Sequence, residues 1–316
     1  MAKYIGIQEQ IRKNNYKSIL LLIGFPALIL GAIYAFLYFS MSPTYHISMI
    51  NRQFLDAAVY VSIGVAIWFV IAYFMHQSMI NRATNAHSLS RKENKRIYNL
   101  VENLCLQEGM KMPKINIIED PALNAFASGL NEKNYTVTLT RGIIEKLDDE
   151  ELKGVIAHEL MHIKNKDVRL LVISIIFVGI FSFLVQVLFR NLLYGSMSRR
   201  RNKDQGKLII FALVIAVITY FISLLFKFAL SRKREYMADA GAAEMTRNPL
   251  ALAGALRKIS GNSTVKSVQN DDVKEMFIHH DAKDNAAQGV GFASALSGLF
   301  ATHPPVDKRI KVLEQY

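Results

Sequence analysis

The sequence holds a single cysteine, Cys105, in 316 residues. One thiol makes no intramolecular disulfide, so the fold requires no oxidising compartment. Cys105 stands between Leu104 and Leu106 and is expected to be a small buried apolar residue rather than a reactive thiol. Internal repeats and low-complexity tracts are lacking, which argues against a solenoid or an array. Acidic residues are outnumbered, 26 Asp and Glu against 38 Lys and Arg, for a formal net charge of +12. No RNP, zinc-knuckle or basic-zipper pattern accompanies that charge, so nucleic acid is not the expected partner. The first apolar run lacks an A-x-A cleavage site, and it is longer than the ~7–15 residues of a signal-peptide core, so it reads as an anchor.

What is present is apolar. Hydrophobic residues make up 51% of the chain, too many for an ordinary soluble protein, and point to a membrane protein with a soluble part. Four runs, at 18–39, 57–80, 168–189 and 208–230, approach the ~20 residues that span a bilayer. Most basic residues flank these runs, which makes the lipid bilayer and its anionic headgroups the expected partner. Lys3, Arg12, Lys13 and Lys17 precede the first run; Arg82, Arg91, Lys92, Lys95 and Arg96 follow the second; Arg232, Lys233 and Arg234 follow the fourth. The loop at 41–56 holds only Arg52. The positive-inside rule then puts both termini and the long polar stretches in the cytoplasm. The basic loop carrying Arg190, Arg199, Arg200, Arg201, Lys203 and Lys207 opposes this, and full crossing of the second hairpin is the preferred reading.

The expected organisation is an N-terminal transmembrane hairpin (1–80), a first half-domain (81–167), a second hairpin (168–230) and a second half-domain (231–316). In the first half, Ile97, Val101 and Leu104 share a helical face, with Gly109 as a stop. KINIIED reads as a strand, and YTVTLT alternates as a half-buried strand would. Asp148 and Glu151 have capping-box spacing. The stretch 260–288 is polar and irregular.

The chemistry lies in VIAHELMHIKNKD, residues 155–167. On a helix, His158 and His162 share a face, with Glu159 beside them. Two imidazoles and a carboxylate so placed suit one zinc ion and a base that takes a proton from water. A third ligand is needed, and Glu235 in REYMAD is the candidate. An even number of crossings puts it on the same side as His162. Helical rise sets the two roughly 9 and 7 Å from the ends of their spans. Ala238, Ala240, Gly241, Ala242 and Ala243 keep the Glu235 helix slim. Asp239 shares a face with Glu235 and can accept a ring N–H of a zinc histidine. Asp167 either does the same or marks the membrane boundary. His46, His76 and His87 have no partner at ligand spacing, and His279 and His280 read as surface residues.

HELMH, followed after two spans by REYMAD, resembles the integral-membrane zinc peptidases that include the heat-shock protease HtpX and the CAAX-prenyl endopeptidases, the HtpX-like members most closely. NAFASG at 124–129, HIKNKD, and THPP with Arg309 and Ile310 carry the likeness further. It covers most of the chain from Ser90 onward and the four-span layout; 260–288 lies outside it. The resemblance implies an α+β, mostly helical protein, a zincin-like (gluzincin) catalytic domain with a small mixed sheet plus four transmembrane helices. It implies His158, His162 and Glu235 on one zinc ion per chain, and Glu159 as the activator of water. Asn124, Ala125, Phe126 and Ala127 would form an edge strand that pairs with an extended substrate; a plain buried strand is the alternative. His303, or Tyr236, would supply a second donor to the developing oxyanion, unless His303 caps the last helix. Arg309 either lines the cleft or pairs with an acidic neighbour.

The expected function is therefore a zinc endopeptidase of the bacterial inner membrane, facing the cytoplasm. It would cleave unfolded or misassembled membrane proteins as part of stress response and quality control. Two rivals are a CAAX-type processing protease, for which four spans look few, and a non-catalytic assembly factor with a structural zinc.

Overall fold

The computed structural model describes residues 7–41, 46–195, 203–228, 233–265, 268, 276–278 and 304–316. His279, His280 and His303 lie outside the described residues, as does most of 260–288. The chain divides into two compact units. One comprises Met1–Asn15, Met75–Val172 and Phe228–Tyr316; the other comprises Tyr16–Phe74 and Ile173–Lys227.

The second unit is built from the middles of long helices: α1 (Ile7–Met41), α2 (Ile47–Thr84), α6 (Asp167–Gly195) and α7 (Lys203–Phe228). Their apolar residues are not confined to one face, as befits helices surrounded by lipid. Ile63, Ile67, Val70, Ile71 and Phe74 of α2 are all exposed. Inside the unit, Phe25 stacks on Phe177 with ring centroids 4.6 Å apart, and Phe69 stacks on the same ring at 5.9 Å. Helix α1 runs unbroken through Pro26. Among the described residues three helices are long and apolar enough to cross a membrane: Ile11–Met41, Ile47–Thr84 and Asp167–Val187. The expected fourth run falls in α7, and Ile209–Ile222 is its apolar stretch among the described residues.

The first unit holds a four-stranded mixed sheet in the order β1 (His87–Ser88), β2 (Lys114–Ile118), β4 (Thr136–Thr140), β3 (Ala125–Ser128). β2 and β4 are parallel; the outer pairs are antiparallel. Register puts Ile115, Ile117, Val137, Leu139, Ala125 and Ala127 on one face, and Asn116, Thr138 and Phe126 on the other. Alternation in YTVTLT predicts a strand open on one side, but all five residues of β4 are buried. The reason is tertiary. The end of α2 supplies Asn81, which accepts from Asn116 Nδ2 at 3.0 Å, and Gln77, which accepts from Ser128 Oγ at 3.1 Å. These bonds lie on the same face of the flanking strands β2 and β3, and helix α5 (Asp149–Lys164) packs on β3 and β4.

Helix α3 (Lys95–Gln107) buries Ile97, Val101, Leu104 and Cys105 on one face, and Gly109, at φ +61, ends it in a backbone conformation that favours glycine. The short α4 (Arg141–Lys146) follows β4 directly; a Cβ on its Gly142 would lie 2.1 Å from the Pro121 carbonyl oxygen, so only glycine fits. Helices α5 (Asp149–Lys164), α8 (Lys233–Thr246), α9 (Pro249–Ser260) and α10 (Val306–Leu313) pack on one another beside the sheet.

Candidate metal centre

Helix α5 starts where its sequence says it should. Asp148 accepts from the Glu151 amide at 2.9 Å, and the Glu151 carboxylate accepts from the Asp148 amide at 3.1 Å. Asp149, Glu150 and Glu151 complement the positive end of the helix dipole. Two turns on, His158 and His162 project together and their Nε2 atoms lie 3.1 Å apart. Helix α8 brings Glu235 to them across a tight seam. Ala238 and Ala242 are fully buried, and a Cβ on Gly241 would lie 2.3 Å from the Met161 methyl carbon. Glu235 Oε1 sits 3.6 Å from His162 Nε2, and Oε2 sits 3.7 Å from His158 Nε2. One ligand atom from each of the three residues lies within 4.8 Å of the others.

The backs of both imidazoles are occupied. His158 Nδ1 bonds Asp239 Oδ1 at 3.0 Å, and His162 Nδ1 bonds Asp167 Oδ2 at 3.2 Å. With each Nδ1–H directed to a carboxylate, both Nε2 lone pairs face the Glu235 carboxylate. Three electron-pair donors facing one another in a buried pocket call for positive charge; the Arg309 guanidinium supplies part of it, with Nη2 3.4 Å from His158 Nε2 and Nη1 3.8 Å from Glu235 Oε2, and a cation among the three donors supplies the rest. The ionisation of His158 shows the same preference. Burial opposes its protonated form, but the Asp239 and Glu235 carboxylates outweigh this and push its pKa up to about 9. Asp239 moves the other way. Burial favours its neutral form, yet the charge of Arg309 and its bonds to His158 and Arg309 hold it down at about 2. The donor set therefore fits a metal cation: two imidazoles, one carboxylate, and the carboxylate partners that orient metal-binding histidines.

Glu159 is 2% exposed and follows His158 directly on α5. Tyr236, beside Glu235 on α8, is half-buried. Of the two sequence readings of Arg309, the structure brings forward pairing with an acidic neighbour. The guanidinium is fully buried and bonds both oxygens of Asp239, and Nη1 donates to the Ile278 carbonyl at 3.2 Å. Nη1 also lies 3.8 Å from Glu235 Oε2. Strand β3 lies at the sheet edge, as expected of Ala125, Phe126 and Ala127, but all four of its residues are buried. The Ile278 amide donates to the Ala125 carbonyl at 2.8 Å, and Phe277 meets Phe126 edge to face at 5.0 Å. Asn124, just before β3, is buried and its Nδ2 donates to the Ser263 carbonyl at 2.8 Å.

Sequence reasoning missed Asn14. Its side-chain amide donates to the Asn165 carbonyl at 2.8 Å and to Asp167 Oδ1 at 2.7 Å. It stands among basic residues that read only as a membrane flank, and no local spacing links it to Asp167.

Comparisons with known proteins identify the family. The model of peptidase family M48 matches residues 91–316. A protease HtpX homolog of Bacteroides fragilis is 56% identical, with 99% of this chain and 100% of that protein aligned. One from Listeria monocytogenes is 35% identical over 97% of this chain and 98% of its own length. Among solved structures, the S. mikatae Ste24p crystal structure shares the fold, with a TM-score of 0.50 at 17% identity over 96% of this chain and 67% of that one. With its family match and its end-to-end relatives, the chain belongs to peptidase family M48 and is a membrane metalloprotease, a hydrolase of peptide bonds.

Proposed function

We propose that His158, His162 and Glu235 hold one zinc ion per chain and that Glu159 is the general base. The observation that carries this reading is the convergence of three donor atoms within 4.8 Å, with each histidine backed by its own carboxylate. Among the described residues the donor set is two imidazoles and one carboxylate, the set a catalytic zinc uses, rather than the four closed ligands of a structural one. Zinc held there would supply Lewis acidity to a water and to the scissile carbonyl. Glu159 takes the proton from the attacking water and returns it to the leaving amine. Asp239 and Asp167 fix the tautomers of His158 and His162, and Arg309 neutralises Asp239. His303, outside the described residues, is the candidate second donor to the oxyanion.

The domain reading that accompanies this is zincin-like, with 81–167 and 231–316 as the two halves of the catalytic domain around the second hairpin, 168–230. The substrate is a locally unfolded polypeptide that pairs in extended form with β3 at Ala125–Ser128. Such a strand takes the place of Ile278 on the Ala125 carbonyl. Pairing of that kind reads main chain more than side chains, so it favours damaged or misassembled membrane proteins and a role in quality control. The names of the HtpX relatives support the protease activity on which that role rests. Charge asymmetry supports a location in the bacterial inner membrane with the site and both termini cytoplasmic.

The test is cleavage of casein by purified wild type and Glu159→Gln at equal zinc content. This account expects cleavage by wild type only. Equal activity in both removes Glu159 from the mechanism.

A further inference from the structure

Asn14 is the most deeply buried polar residue at the start of α1. It is 0% exposed, although Arg12 and Lys13, just before it in the same turn, are exposed. Its amide nitrogen has two protons and two acceptors, the Asn165 carbonyl and Asp167 Oδ1. Those acceptors bracket the corner where α5 becomes α6. Between them Lys166 sits at φ +59, a left-handed backbone conformation that costs a non-glycine residue energy and persists only where its surroundings hold it. Asp167 is 2% exposed, and its other oxygen lies on His162 Nδ1. A continuous chain therefore runs from Asn14 through Asp167 to His162 Nε2, the atom that faces Glu235. Residues Met1–Asn15 group with the unit that carries the site, while α1 continues into the span Ile11–Met41.

We propose that Asn14 is a positioning residue of the metal centre: by holding Asp167 Oδ1 and the Asn165 carbonyl together, it aims the Asp167 carboxylate at His162 and so sets the tautomer and direction of that ligand. The inference rests on the reading of His162 as a zinc ligand. The physical basis is simple. A carboxylate free to rotate about its last bond offers His162 an oxygen only part of the time. One pinned by a donated hydrogen bond offers it always, and partners of this kind hold the ring that binds the ion.

The test uses the full-length protein in detergent. Zinc affinity is read by competition with a fluorescent chelator, and ligand geometry by the visible absorption of the cobalt-substituted protein. Asn14→Leu keeps the bulk and removes the donors. It is expected to weaken zinc binding about tenfold, the low end of the range for partners of metal ligands, and to alter the cobalt bands. In an Asp167→Ala background the same substitution is expected to change affinity less than about twofold, because its route to His162 is already cut. Asn14→Asp keeps the size and sets a second carboxylate against Asp167; it too is expected to lower affinity, and it serves if Asn14→Leu does not accumulate. Wild-type affinity in either variant overturns the proposal. So does an equal loss with and without Asp167, which would mark Asn14 as a support of the fold alone. Wild type that binds no zinc overturns the site reading itself, and the inference with it; zinc binding lost in His162→Ala but unchanged in Asn14→Leu overturns only the inference.

Discussion

Arg309 lies flat against Asp239, Nε on one carboxylate oxygen at 2.8 Å and Nη2 on the other at 2.7 Å, with both side chains buried. This two-pronged bond links the last described helix to the partner of His158. Removing one member of such a pair strands a buried charge. Arg309→Met is expected to destabilise the protein by about 3–5 kcal/mol. Asp239→Asn with Arg309→Met is expected to cost less than the two single changes added, since they share one interaction. Arg309→Lys does not rescue, because an ammonium cannot occupy both oxygens in that planar geometry. Thermal or denaturant unfolding of the four proteins measures this cycle.

Glu159 is expected to separate binding from chemistry. Glu159→Gln retains the metal and loses about 10²–10⁴-fold in turnover, the range for a general base. His162→Ala loses both. Metal analysis beside a casein assay distinguishes the two variants.

The segment Met276–Ile278 sits where the proposed substrate strand would bond. Ile278→Pro removes the amide that reaches the Ala125 carbonyl. Phe277→Ala removes the ring against Phe126. Both are expected to lower KM for an unfolded polypeptide, because the substrate displaces less. A raised KM with unchanged kcat would show that the segment helps to form the binding surface instead.

Much of the site was legible because its signals are local. His158 and His162 are one helical turn apart, Glu235 and Asp239 repeat that spacing, and the Asp148–Glu151 box marks the start of α5. The apolar face of α3 and the burial of Cys105 were equally plain. What escaped depends on contacts between distant segments. Asn14 and Asp167 are 153 residues apart and meet only in the folded chain. The polar face of β4 looked open because nothing in YTVTLT announces that β2 and β3 would flank it, with Asn81 and Gln77 of α2 bonded to Asn116 and Ser128. For Arg309 the sequence left two roles, and only packing against Asp239 and Ile278 favours one.

Cys105 provides a pH test outside the metal site. Burial pushes its thiol pKa from 9.0 up to about 11. The native protein is therefore expected to resist iodoacetamide at pH 8, and the unfolded chain to react. The raised value also sets the sign of the stability effect. The contribution is full below pH 9, where both states keep the proton, and declines as pH rises from 9 to about 11, because the unfolded chain releases it first. Cys105→Ala removes that part of the alkaline loss. Unfolding midpoints from pH 8 to 11 measure it.

The central claim is a shared ion, and zinc content measured by elemental mass spectrometry tests it most directly. The proteins to compare are wild type, His158→Ala, His162→Ala, Glu235→Ala and Glu159→Gln, each purified full length. The account predicts one zinc per chain in wild type and in Glu159→Gln, and loss of most of it in the other three. Full zinc in Glu235→Ala, or none in wild type, would contradict it.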